Sequence, residues 1–293
     1  ISLVFACLQQ CFIKTSAYSN GEQISDGVLI YEYRDGSYRV KSCDAYATGE
    51  IVIRDSVNGV PVTSIGDNTF KNCTSLSNIT IPDGVTSIGD CAFHFCSSLT
   101  SVTIPGSVTD IGIEVFDACD ELENVTILSG VTTISDHMFA QCFGLTNVTI
   151  PDTITSIGNG AFNTCVALTS VEIPASVEII GADAFGFCES LESVWFTGDA
   201  PTFGEDVFWS IPGPLEIFYP CGNATWTEEI RRNYGAEEVV WSEYELPQIT
   251  IEGPAGFGYN TEMLEDLFNV GFRITTLGWN EQNPLTGSCV TGG

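Results

Sequence analysis

The apolar positions between residues 58 and 208 recur every 23 residues. Leu99-Thr-Ser-Val102-Thr-Ile104-Pro105 returns as Leu76 to Pro82, Leu145 to Pro151 and Leu168 to Pro174, with looser copies starting at Leu122 and Leu191. A second block, Val85-Thr-Ser-Ile88-Gly89, returns from Val62, Val108, Val131, Ile154 and Val177. A Phe closes each unit: Phe70, Phe93, Phe116, Phe139, Phe162, Phe185 and Phe208. Columns that hold register over such a length mark a stacked repeat and not a chance periodicity.

One unit carries its own geometry. Val102 and Ile104 alternate with Ser101 and Thr103, so the first pair faces a core and the second faces away. Pro105 cannot donate to a ladder and ends the strand. Val108 and Ile111 anchor a second extended segment, and Gly112 is expected at a turn with unusual backbone angles. Asp67, Asp90 and Asp136 are each placed to cap a short helical turn carrying the Phe. A single unit cannot bury its apolar face, and stacking makes the Leu, Val, Ile and Phe columns continuous. The predicted fold is a repeat solenoid of leucine-rich type. It has a parallel β-sheet on one face and short helical or 3-10 turns on the other.

The ends depart from this register. Residues 1–20 resemble a truncated secretory signal, with the apolar run Ile1 to Leu8 ahead of small residues, although a buried first element accounts for the same text. Phe5-Ala6-Cys7 is a poor lipoprotein signal, since Leu8 follows it. Residues 21–57 read as an N-terminal cap containing a hairpin across Asp35-Gly36, a strand at Glu50–Ile53, and a turn at Asn58-Gly59 leading into the repeats at 58–208. Residues 209–245 read as a C-terminal cap. It comprises a strand at Leu215–Tyr219, a helix from Thr225 to Tyr234 stopped by Gly235, and a closing segment at Val239–Trp241. Residues 246–293 form an unassigned tail with a strand-like piece at 249–251 and a helix-like piece at 261–270.

Charge narrows the partners. Nine Lys and Arg face 38 Asp and Glu, a net charge of −29. Such a chain repels phosphate backbones and anionic bilayers. The acidity serves solubility or attracts a basic partner. No apolar run is long enough to span a bilayer. Cys73, Cys96, Cys119, Cys142, Cys165 and Cys188 form another 23-residue column. Their Cβ vectors run parallel in a stack, which suits free buried thiols better than disulfides.

Catalytic chemistry is sparse. His94 and His137 fall in different columns, so stacking is not expected to unite them. Cys91-Ala-Phe-His94-Phe-Cys96 has the look of a zinc cluster, but Cys96 belongs to the core column. No metal and no cofactor are expected. No phosphate loop, nucleophile elbow or His-Glu-x-x-His motif is present. Residues 246–293 contain no His and only Cys289, so no enzyme is expected.

The outward strand positions carry the candidate site. One column reads Asn78, Ser101, Asn124, Asn147, Ser170, Ser193, and the other reads Thr80, Thr103, Thr126, Thr149, Glu172, Trp195. Such ladders stabilise a parallel sheet, and they also make a flat polar strip for a protein or glycan. Thr103, Thr126, Thr149, Glu172, Trp195, Asn124, Asn147 and Ser170 are the predicted ligand-binding residues. Trp195 beside Glu172 and Glu192 is a candidate hot spot for a basic ligand, unless the cap covers it. Asn72, Asn78, Asn124, Asn147 and Asn223 each begin an Asn-x-Thr sequon, and glycans on the strip would count against that site.

The unit Cys96-Ser-Ser-Leu-Thr-Ser-Val-Thr-Ile-Pro105, followed by Val108, Ile111, Gly112 and Phe116, resembles the BspA-like, or Treponema-type, leucine-rich repeat family. Val57 to Gly66 is similar to that family's entry unit, and Tyr219-Pro220 with Trp226 and Trp241 to its exit. The likeness spans roughly residues 25 to 242, with departures at Leu128, where Pro is expected, and at Thr197. The resemblance implies a secreted or cell-surface protein that binds proteins, cells or other surfaces, and it brings no common catalytic residues. The alternative reading is an intracellular scaffold for protein–protein interaction.

Overall fold

The structure is a computed structural model and describes residues 18–245. The signal-like run before Tyr18 and both pieces assigned to the tail lie outside the described residues.

The chain coils as a stack of extended segments and turns. The first strands of successive units pair in parallel and in register. Gly49–Val52, Leu76–Thr80, Ser101–Ile104, Asn124–Ile127 and Asn147–Thr149 make one five-stranded sheet. Ser170–Ile173, Ser193–Phe196, Pro214–Pro220 and Glu238–Tyr244 make a second, four-stranded sheet on the same face. The second extended block forms shorter ladders. Val60–Ile65, Ser87–Ile88 and Asp110–Ile111 line up in one, and Thr133–Ile134, Ser156–Ile157, Ile179–Ile180 and Thr202–Phe203 in another. The core lies between these faces and the turns that close each coil. The Leu column from Leu76 to Leu191 and the Phe column from Phe70 to Phe208 are buried throughout.

Phe rings stack one coil on the next. Centroids from Phe70 to Phe208 are separated by 4.8, 5.0, 5.6, 5.5, 5.2 and 6.0 Å, with interplanar angles of 5–22°. That spacing matches the distance between hydrogen-bonded strands, so the ladder and the ring stack share one repeat. The cysteines do more than fill space. Cys96, Cys119, Cys142, Cys165 and Cys188 each donate through Sγ to the carbonyl of a Phe 26 residues earlier, at 3.2–3.3 Å. The thiol adds a bond between coils to a carbonyl that in most units already accepts within its own turn, as Phe70 O does from Cys73 N at 3.0 Å. All six column cysteines are free, and burial pushes the Cys188 thiol up to about 12.

The expected helical turns are absent among the described residues. Two left-handed positions four residues apart interrupt each turn: Cys91 and Phe95 (φ 53° and 59°), Glu114 and Ala118 (55° and 56°), His137 and Gln141 (53° and 55°). A residue at positive φ breaks a right-handed helix. The freed N–H groups reach the neighbouring coil instead. Phe70 N donates to Ala92 O at 2.7 Å, Phe93 N to Val115 O at 2.8 Å and Phe116 N to Met138 O at 2.8 Å. The result is a stack of double turns joined coil to coil.

Two further expectations change with it. Asp67, Asp90 and Asp136 do not cap their own turns. Their Oδ1 atoms accept from Asp90 N, Ile113 N and Asn159 N of the next coil, at 3.1, 3.0 and 2.7 Å. Gly112 is required by close approach and not by φ, because a Cβ there would collide with Asp90 Oδ1 and lie 2.5 Å from Asp90 N.

The entry hairpin pairs Leu29–Arg34 with Ser37–Cys43 through Asp35 and Gly36, both at positive φ. This turn matches the twist of its strands. Ser37–Cys43 then pairs in parallel with Val60–Ile65 and so joins the solenoid. The buried Glu32 carboxylate accepts from Arg34, Arg39 and Lys41 at 2.6–2.9 Å. Hydrogen bonds from Lys41 and Arg34 lead in holding its pKa down at about 2. At the exit, Thr225–Tyr234 is not a helix. Trp226 Nε1 donates to Gly198 O at 3.0 Å, while Tyr234 O and Gly235 O accept from Phe208 N and Ser210 N. These bonds hold the segment as a last, irregular coil over the stack.

Candidate binding face

The strand face is built by alternation. Val102, Val125, Val148, Val171 and Val194 point inward, and the residues on either side point out. Register pairs Asn124 with Ser101 and Asn147, and Thr126 with Thr103 and Thr149. It pairs Ser170 with Ser193 and Glu172 with Trp195. The predicted site residues therefore share one face, but in two groups. Thr103, Thr126, Thr149, Asn124 and Asn147 belong to the first sheet. Ser170, Glu172 and Trp195 belong to the second.

The second group gains partners that the sequence pattern did not disclose. The Trp195 ring stacks on Phe218 with centroids 3.8 Å apart and 12° between planes, and it meets Tyr244 edge-on at 5.5 Å. Trp195 is still 37% exposed. The cap thus supports the indole and leaves part of it open. Tyr244 Oη donates to Phe196 O at 2.9 Å. Burial, with the charge of Glu172 adding to it, pushes the Tyr244 phenol up to about 12, so the ring stays neutral near pH 7. Phe218 lies 23 residues after Trp195, and extending the column by one unit finds it. Tyr244 lies past the end of the register and carries no such signal.

Electrostatics sets this face apart from the entry. No Lys or Arg occurs between Lys71 and Arg231, while carboxylates continue through the units. Entry cations are already engaged: Arg34, Arg39 and Lys41 with Glu32, and Arg54 with Asp26 at 3.4 Å. Glu172, Glu192 and Glu216 flank the aromatic platform and are exposed. An exposed π-face beside carboxylates that pair with no cation among the described residues is chemistry that suits a cation by both routes.

The opposite, turn face holds different chemistry. His94 and His137 are indeed in different columns, yet both act electrostatically on Asp117, which lies between them. His94 Nδ1 is 3.2 Å from Asp117 Oδ2 and 3.9 Å from Glu114 Oε2. Cys91 Sγ donates to Glu114 Oε2 at 3.3 Å. Cys96, which the sequence placed beside this group, instead bonds Phe70 O in the core. A shallow cleft of about 200 Å³ runs between Val108–Ile111 and Val131–Thr133, and its lining contains Asp110 as the one titratable side chain.

The BspA type leucine rich repeat region matches the chain in six copies, over residues 50–166 and 155–218. No curated protein matches the sequence significantly. A leucine-rich repeat protein from Eubacterium ventriosum is similar in structure, with 24% identity and a TM-score of 0.55. The match covers 63% of this chain and 48% of that one, so the chain spans about half the length of that relative. A leucine rich cell surface protein from Faecalibacterium prausnitzii has 24% identity over 68% of this chain and 76% of that one, with a TM-score of 0.41. The leucine rich repeat protein of T. pallidum has 22% identity over 64% and 88% of the two chains, with a TM-score of 0.43. With its repeat columns, parallel ladders and matched profile in agreement, the chain belongs to the BspA type leucine rich repeat family.

Proposed function

We propose that this chain is a protein-binding repeat module and not an enzyme, and that it acts at the cell surface or outside the cell. It captures a basic segment of a partner protein on the Glu172–Trp195–Phe218–Tyr244 end of its strand face. The observation that carries the reading is the part-exposed Trp195, stacked on Phe218 and met by Tyr244, and flanked by carboxylates that pair with no cation among the described residues. A pre-ordered aromatic anchor loses little side-chain freedom on binding. The neighbouring acid speeds encounter with a basic partner and selects for it. Family membership supports a role in binding, and the family resemblance of the repeat unit supports the surface location. The Thr and Asn rungs extend the contact area and supply hydrogen bonds at its edge.

The test is selection of displayed peptides on the full chain, followed by titration of the enriched peptides against Trp195→Ala. The reading predicts Arg- or Lys-containing peptides that bind about 30-fold or more weakly to the variant, in line with a hot-spot residue. Enrichment of neutral peptides, or equal affinity for the variant, contradicts it. Surface location has its own check in protease shaving of intact cells, which should remove the protein while cytoplasmic markers stay intact.

A further inference from the structure

We propose that Cys91, His94, Glu114 and Asp117 form a zinc-type metal site that staples two adjacent coils on the turn face. The stack creates the cluster, because Glu114 and Asp117 occupy the positions of Cys91 and His94 one unit later. In the other units these two positions hold pairs such as Asn68 and Lys71, His137 and Ala140, Gly160 and Asn163, or Asp183 and Gly186. Only at this junction do a thiol, an imidazole and two carboxylates meet among the described residues.

Three donors lie near the spacing that a tetrahedral ion requires, and Asp117 stands beside one of them. Zinc–ligand distances of about 2.0–2.3 Å place neighbouring donor atoms roughly 3.3–3.6 Å apart. Cys91 Sγ to Glu114 Oε2 is 3.3 Å, His94 Nδ1 to Asp117 Oδ2 is 3.2 Å, and His94 Nδ1 to Glu114 Oε2 is 3.9 Å. One donor atom from each of Cys91, His94 and Glu114 lies within 4.8 Å of the others. His94 Nδ1 is buried and makes no hydrogen bond, although a carboxylate oxygen is in range. A lone pair aimed into a shared space accounts for that better than a poorly directed ion pair. Asp117 Oδ1 accepts from Gln141 Nε2 at 3.3 Å, which orients the carboxylate and leaves Oδ2 toward the cluster. A hydrogen bond of this kind fixes a ligand from outside its metal.

The donor set selects the metal class. Sulfur and imidazole nitrogen favour zinc or a similar borderline ion over calcium or magnesium. With Asp117 drawn in beside these three, two coils would supply the four donors of a closed, structural site. Burial, then the bond to Glu114, raises the Cys91 pKa. Any thiol ligand gives up its proton to the metal, so binding weakens as pH falls. Lys71 and Asp90 also act on Cys91, and His137 on Asp117.

Cobalt(II) titration of the reduced, chelator-stripped full chain tests the site, with zinc as competitor. The expected result is saturation at one equivalent, with a sulfur-to-cobalt charge-transfer band that zinc abolishes. Zinc should raise the melting temperature. Cys91→Ser should lose the band. His94→Gln and Glu114→Gln should weaken zinc by more than the roughly 10–100-fold that losing an outer-shell partner costs. The paired change Cys43→Ser with Cys73→Ser should leave the band intact, since neither thiol belongs to the cluster. No saturable band, or a band that survives Cys91→Ser, overturns the proposal. If Cys91→Ser does not fold, Glu114→Gln decides the question, because it keeps the thiol: unchanged zinc affinity then overturns the site.

Discussion

The strand face has two ends with the same backbone and different chemistry. From Asn78 to Thr149 the outward columns repeat Asn or Ser beside Thr, and each rung resembles its neighbours. From Ser170 onward the rungs read Glu172, Trp195 and Phe218, with Tyr244 alongside. Both ends rest on the same buried Val, Leu and Phe columns, so the core cannot explain the contrast. Side chains freed from packing explain it. A position that only faces solvent either keeps the repeat or departs from it, and the departures here accumulate next to one another. That clustering, more than any single residue, is what the proposed binding site rests on.

The largest effect is expected where the two ends are joined. Phe139→Ala removes a ring stacked 5.6 and 5.5 Å from its neighbours and should cost about 3–5 kcal/mol. Chemical denaturation should then show both ends lost together, whereas loss of one end alone would mean that the core is not shared. Next comes Trp195→Ala, which should weaken a selected basic peptide by about 2 kcal/mol or more. The same change should reduce stability by only about 0.5–1.5 kcal/mol through the lost ring pair. Glu172→Gln comes third. A carboxylate at an exposed edge contributes about 1 kcal/mol or less, and its loss should flatten the salt dependence of binding. The same variant should lower the Tyr244 phenol pKa, since Glu172 helps to raise it, and ultraviolet titration reads that shift. Thr126→Ala closes the series. It is exposed in mid-ladder, so stability should change within about 0.5 kcal/mol, and peptide affinity should hold.

Much of this was legible in the sequence because columns encode contacts between coils. The inward Val and Ile positions, the Phe stack, the entry hairpin at Asp35-Gly36 and the shared face of the predicted site residues all follow from period and alternation. The turns were not legible. Cys91, Glu114 and His137 adopt positive φ without being Gly or Asn, and side-chain identity alone gives no sign of that. Asp90 carries the right chemistry for a cap, yet it accepts from Ile113 N of the next coil. Thr225–Tyr234 has helical spacing, but Trp226 is worth more bonded to Gly198 O and packed over the exit than on a helix face. The Cys91–His94 pair stood out as a motif, and its partners Glu114 and Asp117 emerge only when the 23-residue step is applied to polar positions as well as apolar ones.

The most direct test of the central claim compares the two ends with one ligand. The affinity of a selected basic peptide would be measured for Trp195→Ala combined with Glu172→Gln, and for Thr103→Ala combined with Thr126→Ala, at low and high salt. The account predicts that the first variant loses about 30-fold or more and most of its salt dependence, while the second binds like the parent chain. Equal losses in both variants, or a loss confined to the threonine pair, would contradict it.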